Sequence, residues 1–207
     1  MQLIGMPDSP YVRRVAIALQ LLGMRYEHRK LSVFRHFDAF AAINPVVKAP
    51  TLVCDDGTVL SESSLILQWL GELAAPGRGL LPATLADRQR ALRITGLALA
   101  ACEKSVQVVY ERSQRPPEKQ HAPWLDRVRG QLAAAYRLLE GEFAGAAASG
   151  GWLFGSRPSD ADVTAAVAWR FTLAATADCV DAAAYPALAR FSAWCEAQPA
   201  FIAVPLE

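Results

Sequence analysis

A short apolar run, Gln2-Leu3-Ile4-Gly5, leads straight into Met6-Pro7-Asp8-Ser9-Pro10-Tyr11-Val12-Arg13-Arg14, and this junction restricts the fold more than any other stretch. Ser9 is a good N-cap, and Pro10 suits the first helical position, where its missing N–H is not needed. Val12, Val15, Ala16, Leu19 and Leu22 then recur at helical spacing, and Gly23 follows as a C-cap. The pattern predicts a first strand that turns tightly into a first helix. Such a helix start carries free N–H groups and the positive end of the helix dipole, which favour an anion. Ser9 therefore has two roles open to it, as a cap and as a ligand contact.

Further along, Tyr26 to Leu31 reads as a second strand, and Phe34 to Ile43 as a short helix or irregular connection. The apolar end of Asn44-Pro45-Val46-Val47-Lys48-Ala49-Pro50-Thr51-Leu52-Val53-Cys54 reads as a third strand. Asp55-Asp56-Gly57 is a hairpin turn, and Thr58-Val59-Leu60 returns as a fourth strand. Ser61-Glu62-Ser63 then precedes the helical stripe Leu65, Ile66, Trp69, Leu70 and Leu73. The order β-α-β-(α)-β-β-α predicts a small α/β domain over residues 1–75.

Composition changes abruptly at Ala75-Pro76-Gly77-Arg78-Gly79, followed by Leu80-Leu81-Pro82, so residues 76–83 read as a linker. Beyond it the chain is alanine-rich with helical periodicity. Helices are predicted over 84–113, 123–148, 159–177 and 186–197, with breaks at Arg115-Pro116-Pro117, Ser149-Gly150-Gly151, 178–184 and Gln198-Pro199. Residues 84–207 are thus expected to form an all-helical C-terminal domain, and the fold class is α/β plus all-α. Within it, Ser159 and Asp162 have the spacing of a capping box, with Asp in place of the usual Glu. That is a structural role, and the helix it opens is apolar on most sides, as a buried central helix should be.

Composition also excludes several classes. With 21 basic and 20 acidic residues the formal net charge is +1, which leaves no broad electrostatic footprint for nucleic acid. The apolar runs fall short of the roughly 20 residues a membrane span needs, and no signal peptide is evident, so a cytoplasmic protein without membrane association is expected. Cys54, Cys102, Cys179 and Cys195 form no C-x-x-C pair, and His28, His36 and His121 are scattered, so no metal site is expected.

Taken together, the motifs resemble the glutathione transferase superfamily over essentially the whole chain. Ser9-Pro10-Tyr11-Val12-Arg13-Arg14 resembles the serine-type Ser/Cys-Pro-aromatic-x-x-Arg turn, in its theta- and tau-like form. Asn44 to Pro50 resembles Asn-Pro-x-Gly-Lys-Val-Pro, whose last proline is cis. Glu62-Ser63-Ser64-Leu65-Ile66 resembles Glu-Ser-x-Ala-Ile, and Gly155 to Asp162 resembles the capping motif of the helical domain. The resemblance implies a thioredoxin-like N-terminal domain, glutathione as cosubstrate with no tightly bound cofactor, a homodimer, and a detoxifying transferase.

It also implies roles for individual residues. Ser9 would lie beside the glutathione sulfur and stabilise its thiolate, since a hydroxyl can accept from a helix amide and still donate. The Ala49 backbone beside Pro50 would pair with the cysteinyl residue, and Glu62 and Ser63 would hold the γ-glutamyl end. For the glycyl carboxylate Lys48 is nominated first, then Arg35 or His36, with a merely solvated charge as the competing reading. An apolar electrophile pocket would draw on Tyr11, Val106, Tyr110 and Trp169. Serine rather than cysteine at position 9 argues against mixed-disulfide chemistry. The sequence departs from the family at Val47, where glycine is common, and at Ala49, where valine is usual. The alternatives are a non-catalytic interaction or regulatory protein of the same fold, and a glutathione-dependent peroxidase or isomerase.

Overall fold

The structure, a computed structural model, describes residues 1–146 and 151–207. The N-terminal half holds β1 (Gln2–Ile4), α1 (Pro10–Leu21), β2 (Glu27–Arg29), α2 (Phe37–Ala41), β3 (Thr51–Val53), β4 (Val59–Ser61) and α3 (Ser63–Leu73). This is the order read from the sequence. The second strand is shorter than expected, three residues against the six of Tyr26 to Leu31, because only Glu27–Arg29 pairs with β1. The sheet order is β2-β1-β3-β4, with β1 parallel to β2 and antiparallel to β3, and β3 antiparallel to β4. Leu3 faces both His28 and Leu52 across the ladder. Its neighbours in the core include Ile4, Val12, Val15, Leu19, Leu52, Ile66 and Leu70, all fully buried. Helices α1 and α3 pack together, which brings their N-terminal ends into the same unit as the loop before β3. The arrangement is thioredoxin-like.

The chain divides into two compact units, Met1–Leu81 with Gln198–Glu207, and Pro82–Ala197. The expectation that 84–207 forms one domain is therefore corrected at its C-terminal end. Residues 198–207, including the short C-terminal helix α8 (Pro199–Ile202), return to the first unit. The reason is a buried cation on α1: Arg13 donates from Nε to the Val204 carbonyl at 2.9 Å, and its guanidinium lies 5.9 Å from the Phe201 ring centroid. Lys30 and Glu207 form an ion pair beside it.

The second unit contains α4 (Leu85–Gln114), α5 (Ala122–Ala146), α6 (Asp160–Ala175) and α7 (Pro186–Glu196), with short 3-10 turns between α4 and α5 and between α6 and α7. The end of the predicted second helix at 147–148, and Ser149-Gly150 after it, lie outside the described residues. Helix α6 is central, packed against α4 and α7, and almost every residue from Ala161 to Thr172 is buried. Its start closes on itself. Asp162 Oδ2 accepts from the Ser159 amide (2.8 Å) and hydroxyl (2.6 Å), Oδ1 accepts from the Leu153 amide (2.9 Å), and Ser159 Oγ accepts from the Asp162 amide (3.3 Å). Burial pushes the Asp162 carboxyl above the usual carboxylate range, and these donors pull against it. In the same core Tyr136 donates to the Ala168 carbonyl (3.0 Å) and shares a 2.6 Å bond with Thr172, which reaches Ser105 at 2.7 Å.

Candidate functional site

The site is built on the turn between β1 and α1. Gly5 has φ +141°, and a Cβ there would stand 2.6 Å from Val12 Cγ2 and 3.1 Å from Ala49 Cβ. Only a residue without a side chain lets the end of β1 lie so close to both α1 and the Ala49 loop. The Gly5 amide donates to the Arg29 carbonyl (3.1 Å), and its carbonyl accepts from His28 Nε2 (3.0 Å). Burial lowers the His28 imidazole below the usual histidine range, against the opposing pull of that carbonyl.

Four residues on, Ser9 is the N-cap of α1 and is only half-buried. Its Oγ accepts from the Val12 amide at 3.5 Å, the outer limit of a hydrogen bond, so the cap is loose. Position N1 is Pro10, and no acidic residue stands in the first turn of α1. The positive end of this helix is therefore not neutralised by its own first turn, and the Ser9 hydroxyl keeps its proton available to an outside acceptor.

The loop before β3 is held by Asn44. Its Nδ2 donates to Thr51 Oγ1 (2.8 Å) and Ser61 Oγ (2.9 Å), and its Oδ1 accepts from the Val46 amide (3.1 Å). Thr51 in turn donates to the Lys48 carbonyl at 2.7 Å. The Ala49–Pro50 bond is cis. Val47 has φ +51°, which explains why glycine is the common residue there: a β-branched side chain in the left-handed region is strained.

At α3 a second helix start faces the same loop system. Glu62, also at positive φ (73°), is its N-cap, and Oε2 accepts from the Ser64 (3.0 Å) and Leu65 (3.2 Å) amides. Ser63 is buried; its hydroxyl donates to Glu62 Oε1 (3.3 Å) and accepts from Arg14 Nη1 (3.0 Å). Arg14, fully buried, also donates to Ser64 Oγ at 3.2 Å, so a guanidinium on α1 ties the two helix starts together. The Ser63 amide takes no part in this cap. Strained residues of this kind concentrate where a backbone has to meet a ligand.

The nominated cations are all exposed. Lys48 and Arg35 enter no ion pair among the described residues. His36 precedes α2, and its Nδ1 accepts from the Ser32 amide (3.0 Å), which leaves Nε2 as the ring nitrogen turned to other partners. Among the residues nominated for the electrophile, Tyr11 is half-buried on α1, while on α4 Val106 is half-buried and Tyr110 exposed. Trp169 is a correction. It is 2% exposed inside the helical unit, edge-on to Tyr136 (5.0 Å) and Tyr185 (5.7 Å), because it lies on the covered side of the central helix. The sequence reading leaves Gly5, Arg14 and Asn44 without individual roles. The signal for Arg14 was its place in an otherwise apolar helical stripe, where a charge has to be paired.

Comparison with known proteins agrees with this geometry. The family model of the glutathione S-transferase N-terminal domain matches residues 3–78, and that of the glutathione S-transferase C-terminal domain matches 100–199. A glutathione transferase family member from Pseudomonas fluorescens Pf-5 with bound glutathione superposes with a TM-score of 0.85 at 30% identity, covering 100% of this chain and 98% of that one. A glutathione S-transferase from Methylobacterium radiotolerans in complex with glutathione sulfonate gives a TM-score of 0.82 at 32% identity, covering 100% and 95%. The maleylacetoacetate isomerase of Pseudomonas aeruginosa is 32% identical over 162 residues, 72% of this chain and 71% of that protein. The chain belongs to the glutathione S-transferase superfamily.

Proposed function

We propose that the chain activates the thiol of glutathione beside Ser9 and transfers its sulfur to an apolar electrophile. The observation that carries this reading is the open start of α1: a loose 3.5 Å cap, a hydroxyl proton to spare, and no acid in the first turn. A free thiol titrates near about 8.5, and each unit of lowering corresponds to about 1.4 kcal/mol of preference for the anion. The Ser9 hydroxyl donates to the thiolate, the thiol proton leaves to solvent, and the sulfur lone pair forms the new S–C bond. The electrophile releases its leaving group or, if unsaturated, takes up a proton.

The rest of the tripeptide is met by backbone and charge. The Ala49 N–H and C=O pair with the cysteinyl residue as an added strand would. At the γ-glutamyl end Glu62 accepts from the ammonium with lone pairs its cap leaves over, and the Ser63 amide donates to the carboxylate, its hydroxyl being engaged by Glu62 and Arg14. Lys48, then Arg35, then His36, are the donors for the glycyl carboxylate. A second copy of this chain is the partner we assign to the exposed α3 stripe of Leu65 (59%), Trp69 (42%) and Leu73 (48%), apolar positions four residues apart. Light scattering should report a dimer that Trp69→Lys converts to monomer.

Calorimetric titration with glutathione, alongside a thiolate difference spectrum, tests the core of the proposal. Binding with a thiolate band at neutral pH is expected. No binding at millimolar glutathione would overturn it and favour an interaction protein of the same fold. Glu62→Ala should raise KM for glutathione with little change in kcat. The 32% identity to an isomerase favours one second reading, glutathione-dependent isomerisation, in which the thiolate adds and is later expelled. Turnover of maleylacetoacetate that exceeds turnover of halide or epoxide electrophiles would replace the first reading by this one.

A further inference from the structure

The helical unit carries an open cavity of about 470 Å³ where the end of α4 meets the start of α5, lined by Glu111, Arg115, His121, Pro123, Trp124 and Arg127. Nothing in the glutathione reading uses these residues. We propose that it binds a flat aromatic carboxylate, with the ring against the Trp124 indole and the carboxylate on the Arg127 guanidinium.

The charges decide the class of ligand. Glu111, 6% exposed, is already answered: Oε1 accepts from the His121 amide at 2.9 Å, and Oε2 pairs with Arg115 Nε at 3.2 Å. No hydrogen bond or ion pair engages Arg127 among the described residues, which leaves one positive charge in excess at the cavity rim. A guanidinium is a planar fork that matches a carboxylate with two parallel bonds. Apart from His121, the remaining wall is apolar: Pro123 faces the cavity and Trp124 is 41% exposed. Large aromatic surface left open beside a free cation is the arrangement that recognises a ring bearing a single anion. The volume falls within the range of small-molecule pockets and admits two fused rings.

Titration of the full chain with 2-naphthoate by calorimetry, with and without saturating S-methylglutathione, tests this. One site is expected, unaffected by S-methylglutathione. Arg127→Ala and Trp124→Ala should each weaken it at least about tenfold. Both side chains are exposed, so the variants should keep the wild-type circular dichroism and glutathione turnover. The neutral analogue 2-naphthylmethanol should bind at least about tenfold more weakly than the acid, because it forfeits the charge-assisted pair. No binding, displacement by S-methylglutathione, or affinity indifferent to Arg127→Ala would overturn the proposal.

Discussion

Helices α1 and α6 both begin at a serine cap, and the two beginnings have opposite characters. At α6 the cap is closed: Ser159 and Asp162 satisfy each other, Leu153 adds a third donor, and both residues are buried. At α1 the cap is open: Ser9 is half-exposed, its bond to the Val12 amide is long, and Pro10 stands where the first amide would be. An acid at the third helical position turns a helix start into a folding device. Its absence leaves a helix start that can serve a ligand instead. Helix α3 lies between these cases, since Glu62 caps two amides while Ser63 keeps its own out of the cap.

Substitutions at the two serine starts should separate these characters. The largest effect is expected for Ser9→Ala, which removes the donor to the thiolate and should lower kcat/KM by about 10²- to 10³-fold, as for loss of one oxyanion donor, with Tm nearly unchanged. Retained conjugation would break the comparison, because α1 would then be a cap like α6. Ser9→Asp sharpens it further. The carboxylate should preserve or raise stability by up to about 1 kcal/mol while lowering kcat/KM as far as Ser9→Ala does, since it closes the helix start with a charge that repels the thiolate. At α6 the expected outcome is reversed. Asp162→Ala leaves the buried Ser159 amide and the half-buried Leu153 amide without this partner and should cost about 3 kcal/mol in chemical denaturation, with kcat per folded molecule unaltered. The smallest effect belongs to Val47→Gly, which should raise stability by about 1 kcal/mol by relieving the left-handed strain, as read from the denaturation midpoint.

The α/β order was legible because its punctuation is local: Ser9-Pro10, Asp55-Asp56-Gly57 and Ser61-Glu62-Ser63 each act within a few residues. The capping box at Ser159 was legible for the same reason. Two features were not. The partner of Arg13 is Val204, 191 residues away in the chain, and no local pattern announces that residues 198–207 join the first unit. Trp169 looked like a pocket aromatic because helical spacing does not say which side of a helix is open; on α6 the exposed side holds Arg170 and Ala174, and Trp169 is buried. In the candidate site the residue types at Ser9, Glu62 and Ser63 could be named from motifs. Their division of labour needed geometry: Ser63 spends its hydroxyl on Glu62 and Arg14, so in the proposed role only its amide remains to meet a carboxylate. Val47 could be flagged as a departure, and its φ supplies the reason.

The return of residues 198–207 makes the first unit discontinuous in the gene, and this has a consequence for biosynthesis. A ribosome finishes α1 long before it makes Val204, so the Arg13 guanidinium waits through the synthesis of the entire helical unit for the carbonyl at 2.9 Å that receives it. The N-terminal unit should therefore mature last, although it is translated first.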